Sequence, residues 1–271
     1  MTSLKLYMSS THMPQQANWL DCVASAAEMG FDGLELFGTE YEQAELMSPE
    51  RLDALAKAAQ AKKLVLSAHP WIEWGDLPEE ELARRLTKLM ADCARLGQRE
   101  IVLHMDFLAH REAGMARVFR MIDPLCPFLS REGMTILLEN VPAHDMRELG
   151  SEVGDFDALF AHYEAGAPVQ MNIDVGHAHI MGTLGELAHS HGTRWRYTHI
   201  DDNAGVEDSH FAPGKGSIHW LDVAKCAGAV GYTGPLMMEY ASRELHIGMP
   251  VLTEAYAAHG MALHAIRPQE G

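Results

Sequence analysis

Residues 170–177 read QMNIDVGH, a short β-rich apolar run that ends on a carboxylate, Asp174, and passes into a glycine-containing loop. The same form recurs on either side, as TILLEN at 135–140, YTHIDD at 197–202 and LMMEY at 236–240. Working outward, eight candidate strands emerge: Leu4–Met8, Gly33–Phe37, Leu64–Ala68, Ile101–His104, Thr135–Glu139, Gln170–Asp174, Tyr197–Ile200 and Leu236–Glu239. Between them lie amphipathic stretches such as WLDCVASAAEMG (19–30), PERLDALAKAAQAKK (49–63) and PEEELARRLTKLMADCARLG (78–97). Some open on Pro and others close on Gly, as helix termini prefer. This is the βα rhythm of a parallel sheet.

Eight such units in 271 residues fit a closed (β/α)₈ barrel better than an open doubly wound sheet. The positions of the ionisable residues tip the choice. His69, His104, Glu139, Asp174, His199 and Glu239 each fall at the last position of a candidate strand or one step beyond, where a barrel gathers its active site. No Ser/Gly-rich linker or charge block interrupts the pattern, so residues 1–271 read as one domain.

The composition, 47% hydrophobic and 22% charged, supplies a large core and argues against disorder. A net charge of −17 repels phosphate backbones and anionic lipid, so neither nucleic acid nor a membrane surface is an expected partner. Cys22, Cys93, Cys126 and Cys226 form no C-x-x-C pair and read as helix-borne thiols of a reducing compartment. With no apolar run of signal-peptide or membrane-span length, the expected location is the cytoplasm. The oligomeric state is not fixed by sequence, and a homo-oligomer stays open.

Glu139, Asp174, His199 and Glu239 lie in register at the ends of strands five to eight and are expected to converge. Three carboxylates and one imidazole suit a divalent ion, Mn²⁺, Mg²⁺, Co²⁺ or Zn²⁺, and do not choose among them. Any one of these residues alone reads as a solvated strand-end group or a core histidine; the joint register carries the argument.

The succession E-N at strand five, D-x-G-H at strand six, H-I-x-D at strand seven and M-E at strand eight resembles the xylose isomerase-like TIM barrels. That superfamily contains sugar isomerases and epimerases, sugar-acid and inosose dehydratases, and apurinic endonucleases related to endonuclease IV. The segment DSHFAPGKGSIHW (208–220) resembles the stretch that follows strand seven in many members. The resemblance implies that Glu139, Asp174, His199 and Glu239 hold the catalytic metal, with His177 beside it as a substrate contact. Asp208 and His210 match a pair that holds an additional zinc in the endonucleases, and His69 and His104 match two more ligands of that cluster. The same histidines are substrate contacts in mononuclear sugar enzymes.

Isomerising or epimerising a sugar requires a proton to leave a carbon beside a carbonyl and return elsewhere. A metal acting as Lewis acid stabilises the enediolate while two carboxylates move the protons, roles for which Glu139 and Glu239 are the candidates. The epimerases carry an Arg shortly after the strand-seven His, whereas this chain reads HIDDNAG; Lys215 is the nearest cationic substitute. Trp71 and Trp74, with Phe37 and Phe107, are candidate pocket walls for a sugar-like small molecule. Two alternatives stay open: a metal-dependent dehydratase, and an endonuclease IV type zinc phosphodiesterase, which the acidic charge disfavours.

Overall fold

The computed structural model describes residues 2–13, 18–43, 47–72, 74–75, 77–105, 111–143 and 148–267. Eight parallel strands close into a barrel: β1 (Leu6–Ser9), β2 (Gly33–Gly38), β3 (Val65–Pro70), β4 (Glu100–Leu103), β5 (Thr135–Glu139), β6 (Val169–Asp174), β7 (Trp195–Ile200) and β8 (Leu236–Met238). Ladders run between neighbours in chain order, and β8 pairs with β1, Leu236 opposite Leu6, to complete the ring. The (β/α)₈ expectation holds. The first strand differs from its expected span. Thr2–Leu4 pairs instead with Met261–Leu263 in a separate two-stranded sheet, and the barrel strand begins at Leu6, whose N–H donates to Asp32 Oδ2 at 2.9 Å. The stretch TSLKLYMS (2–9) thus serves two ladders, with the change of partner at Lys5.

Helices pack around the ring for local reasons. Asn18 caps the helix Trp19–Met29 by accepting from the N–H groups of Leu20 and Asp21 at 2.9 and 3.1 Å. The chain leaves that helix through Gly30 at φ 83°, a left-handed turn that glycine adopts without steric cost. Glu79–Leu96 opens on three glutamates, favourable at the positive end of the helix dipole, and buries Leu82, Leu86, Leu89, Met90, Cys93 and Leu96 as one stripe. Each leucine in that stripe is worth about 2 kcal/mol of burial, and truncating Leu86 to Ala would leave a cavity costing about 2–5 kcal/mol.

Alternation along the strands sorts side chains into two environments. Leu34, Leu36, Leu66, Ile136, Leu138, Met171, Ile173 and Met238 join the large core between strands and helices. Tyr7, Val102, Leu137, Tyr197 and Met237 form a second, small cluster that fills the barrel itself. Gly33 makes room for it: a Cβ there would meet the Tyr7 ring at 2.6 Å. Continuing two residues along each inward series leads from Leu137 to Glu139, from Tyr197 to His199 and from Met237 to Glu239. The apolar plug is therefore the floor on which the charged residues stand.

At the opposite end of the barrel, Glu100 and Gln170 line a cavity of about 790 Å³. Among the described residues Glu100 has no ion-pair partner, and burial pushes its carboxyl up to about 7, with Lys5 opposing and Glu35 adding to the rise. A carboxyl raised in this way binds its proton more tightly folded than unfolded. Its cost to stability is nearly absent below the ordinary glutamate pKa and complete above about pH 7. Glu100→Gln should thus stabilise the protein by about 1–3 kcal/mol at pH 8 and by little at pH 5, read from urea unfolding at the two pH values. An equal gain at both would show that the carboxylate is already solvated in the folded state.

Candidate metal centre

Asp174, the last residue of β6, is held by its neighbour strand. The Asn140 side chain, one step past β5, donates to the Asp174 carbonyl at 2.9 Å and accepts from the Asp174 N–H at 2.8 Å. The Asp174 carboxylate then caps the short helix Val175–Met181, accepting the His177 N–H at 2.7 Å. This explains the spacing of D-x-G-H. The intervening Gly176 approaches the Asp201 carboxylate so closely that a Cβ would fall on it, and its N–H donates to Asp201 Oδ1 at 3.2 Å.

Asp202 anchors the long connection after β7. Its backbone pairs in both directions with Phe211 at 2.8 Å, and its carboxylate accepts from the N–H groups of Asn203, Gly214 and Ile218 and from the Trp220 indole. The loop so pinned presents Asp208 and His210. His210 sits at φ 46°, a left-handed conformation unusual for a residue with a side chain and stored here at the site. Its Nδ1 faces the Glu239 carbonyl at 2.8 Å, while His177 Nδ1 faces the Asn140 carbonyl at 2.9 Å. A carbonyl only accepts, so both Nδ1 atoms carry protons and both Nε2 atoms turn toward Asp208 Oδ2, at 3.0 and 3.3 Å.

The four residues expected to converge do so. His199 Nδ1 lies 2.9 Å from Glu239 Oε2, 3.2 Å from Glu139 Oε1 and 3.7 Å from Asp174 Oδ2, and one donor atom from each of the four falls within 4.8 Å of every other. His69 Nε2 and His104 Nε2 approach the second Glu139 oxygen, each at 3.4 Å, and stand 3.3 Å from one another. Sequence reasoning missed three members of the cluster. Glu35 meets His199 Nε2 at 3.3 Å and His69 Nδ1 at 3.4 Å, His12 joins His210 and Glu239, and Asp201 joins Asp208 and His210. Glu35 sits two residues before Phe37, the strand partner of His69; the single acid within GLELFG was the available signal.

Glu35, Glu139, Asp174 and His199 are fully buried, and Glu239 nearly so. Burial pushes the Asp174 carboxyl up to about 7, opposed by His177 and assisted by Glu139 and Glu239. Burial and the neighbouring Asp174 also raise Asp201. Against the same burial penalty, His199 and His69 hold Glu139 well below the usual range. Burial takes His12 down to about 4 and lowers His104, which favours the uncharged ring of each. Glu35 Oε1, Glu139 Oε2, Asp174 Oδ2, Asp201 Oδ2 and Asp208 Oδ1 have no hydrogen-bond partner among the described residues. Buried carboxylate oxygens without partners cost several kcal/mol each unless a cation faces them, and this oxygen-rich set with imidazole suits a divalent ion.

Beside this cluster is a cavity of about 340 Å³, within the range of small-molecule sites. Its lining includes His12, His69, His104, Glu139, His177, Asp208, His210 and Glu239, with Phe37, Trp71, Val141 and Pro142 as apolar wall. Trp71 is 41% exposed at the rim, its ring edge-on to His104. Trp74 lies in the main core, away from the cavity, and Phe107 falls outside the described residues. Lys215 does not line the cavity; its ammonium pairs with Glu244 at 2.9 Å. No helix among the described residues is long and apolar enough to cross a membrane.

Residues 23–265 match the family described as the xylose isomerase-like TIM barrel. A solved D-tagatose 3-epimerase-like protein superposes with TM-score 0.79 at 19% identity, covering 95% of this chain and 98% of its own. The D-psicose 3-epimerase from Clostridium cellulolyticum H10, crystallised with D-tagatose, gives TM-score 0.69 at 15% identity over 88% of this chain and 85% of its own. An AP endonuclease of family 2 from Brucella melitensis gives 0.71 at 18% identity over 88% and 93%. At these identities the likeness is one of fold.

Replacing Asp174 or His199 by Ala should abolish retention of a divalent ion through desalting, measured as metal content per chain, and remove the rise in Tm that added metal gives the wild type. Equal metal content in wild type and variants would count against the centre.

Proposed function

Since the chain belongs to the xylose isomerase-like TIM barrel family, we propose that it is a divalent-metal-dependent isomerase or epimerase of a sugar or sugar-like hydroxy-carbonyl compound. The observation that carries this reading is the placement of Glu139 and Glu239. Both approach His199 Nδ1 and both line the cavity, Glu139 beside His69 and His104 and Glu239 beside His12 and His210, which supports separate proton-transfer roles for the two carboxylates. Proton removal from one face of a carbon and return to the other needs two such groups.

Glu139, Asp174, His199 and Glu239 would hold the ion, for which Mn²⁺, Mg²⁺, Co²⁺ and Zn²⁺ all suit the donors. When bound, it supplies a Lewis acid that stabilises negative charge developing on the substrate's carbonyl oxygen. One glutamate takes the proton from the carbon beside the carbonyl, and the other delivers a proton to the opposite face or the neighbouring atom. His177, whose Nδ1 donates to the Asn140 carbonyl and whose Nε2 faces Asp208, lines the cavity and would contact substrate hydroxyls. Phe37 and Trp71 offer ring faces and edges to the apolar side of a sugar. The wall they form keeps water from the reacting carbon.

A second reading draws on the donor atoms that flank the central set. His69, His104 and Glu139 form one adjoining group and Asp201, Asp208 and His210 another, so up to three ions would have donors, as phosphodiester cleavage by paired metals requires. The −17 charge makes DNA an unfavourable partner. Zn²⁺- or Mn²⁺-dependent incision of an abasic duplex, lost in Glu239→Ala, would establish this second reading over the first.

The principal test assays a panel of ketoses in D₂O with saturating Mn²⁺ or Co²⁺. The wild type should interconvert an epimeric or isomeric pair and place deuterium at the carbon beside the carbonyl. Glu139→Gln and Glu239→Gln should keep the fold, by circular dichroism, and lose about 10²-fold or more in turnover. Turnover with direct hydrogen transfer and no solvent deuterium would overturn the paired-glutamate mechanism, and net loss of water would assign a dehydratase.

A further inference from the structure

Glu35 is fully buried inside the barrel, and no Lys or Arg among the described residues pairs with it. Its two oxygens address two imidazoles. Oε2 lies 3.3 Å from His199 Nε2, and Oε1 approaches His69 Nδ1 to 3.4 Å, the nearest polar contact of two atoms that have no hydrogen-bond partner among the described residues. Each imidazole turns its other nitrogen to a different oxygen of Glu139: His199 Nδ1 is 3.2 Å from Oε1, and His69 Nε2 is 3.4 Å from Oε2. The four side chains close a ring, Glu35 to His69 to Glu139 to His199 and back.

We infer that Glu35 is a positioning residue, which fixes the rotation and the proton of both His199 and His69 and so aims one unprotonated nitrogen of each at Glu139. The inference rests on the metal site proposed above. A neutral imidazole has one N–H and one lone pair. For His199 to offer Nδ1 to a cation shared with Glu139, Asp174 and Glu239, its proton must sit on Nε2, where Glu35 Oε2 is the only described acceptor. The same logic places the His69 proton on Nδ1, facing Glu35 Oε1, and frees Nε2 on the Glu139 side. A carboxylate presents two separate acceptor oxygens, one to each imidazole, where an amide of the same length has one oxygen and one NH₂. Imidazoles bound to metals commonly donate their second N–H to such a partner, and losing it costs about 10- to 100-fold in metal affinity.

Direct ligation by Glu35 is the competing role, since Glu35, His69, His199 and Glu239 also offer donors within 4.8 Å. A cation between Glu35 and the imidazoles would need the lone pairs on His199 Nε2 and His69 Nδ1. That would turn protons, rather than lone pairs, toward the Glu139, Asp174 and Glu239 carboxylates. The two roles therefore predict opposite tautomers.

Glu35→Gln is nearly isosteric and tests the inference because an amide accepts through oxygen and donates through nitrogen. It can satisfy only one of the two imidazoles as found. Titrating metal-free protein with Co²⁺, the variant should bind about 10- to 100-fold more weakly than wild type and show an altered visible spectrum, while its metal-free Tm does not fall. Co²⁺ affinity and spectrum equal to wild type would overturn the inference alone. Failure of the wild type itself to take up Co²⁺ would instead sink the metal reading on which it rests. A measurement on Zn²⁺-loaded wild type needs no variant to fold: ¹⁵N spectra of the histidine rings should show His199 Nε2 protonated and Nδ1 shifted by metal. The reverse pattern would assign Glu35 as a ligand and overturn its positioning role.

Discussion

Buried negative charge with too few positive partners is the condition on which the rest of this structure depends. Glu35, Glu139, Asp174 and Glu239 surround one imidazole, His199, in a space from which solvent is almost excluded. A single protonated histidine cannot neutralise four carboxylates, and at low dielectric each uncompensated charge costs several kcal/mol. Without metal the cluster settles by sharing protons, visible in the raised Asp174 and Asp201 and in the ion pairs of His177 and His210 with Asp208. A divalent ion relieves the same strain without protons. The apolar plug of Tyr7, Val102, Leu137, Tyr197 and Met237 beneath makes the problem acute, since it seals the barrel against water from below.

The neighbouring polar residues keep the donors in place. Asn140 spends both ends of its amide on the backbone of Asp174, the Asp202 carboxylate takes four donors from the following loop and its anchor helix, and Asn203 donates to the Gly176 carbonyl at 2.9 Å. These bonds are local and neutral or hydrogen-bonded to amides, so they persist whatever the charge state of the centre. They also explain why the motifs pair a chemical residue with a structural one: E with N, the first D of HIDD with the second.

Much of this was legible in sequence because a barrel delivers strand ends to one place. A register of ionisable residues at six strand ends is a three-dimensional cluster written in one dimension, so His69, His104, Glu139, Asp174, His199 and Glu239 could be collected before any coordinates. What escaped lay off that register. Glu35 is two residues too early, His12 follows β1 in a 3-10 turn, and Asp201 was overshadowed by its neighbour. Lys215 and Trp74 illustrate the converse. Proximity in sequence to a site residue placed them on the right loop, but the side chain of one found Glu244 and that of the other found the core. Loop side chains are set by tertiary partners that no local pattern encodes.

The loop after β7 and the aromatic rim of the cavity are held in place by different means. On the side of β6 to β8, backbone hydrogen bonds to Asp202, Asn140 and His210 carry the donors, and a substitution there propagates into several others. On the side of β2 to β4, Phe37 and Trp71 line the cavity 6.1 Å apart and pack their rings against His69 and His104. The aromatic rim is consequently tied to two of the imidazoles behind it. A change in either ring would be felt at His69 or His104, and through them at Glu139.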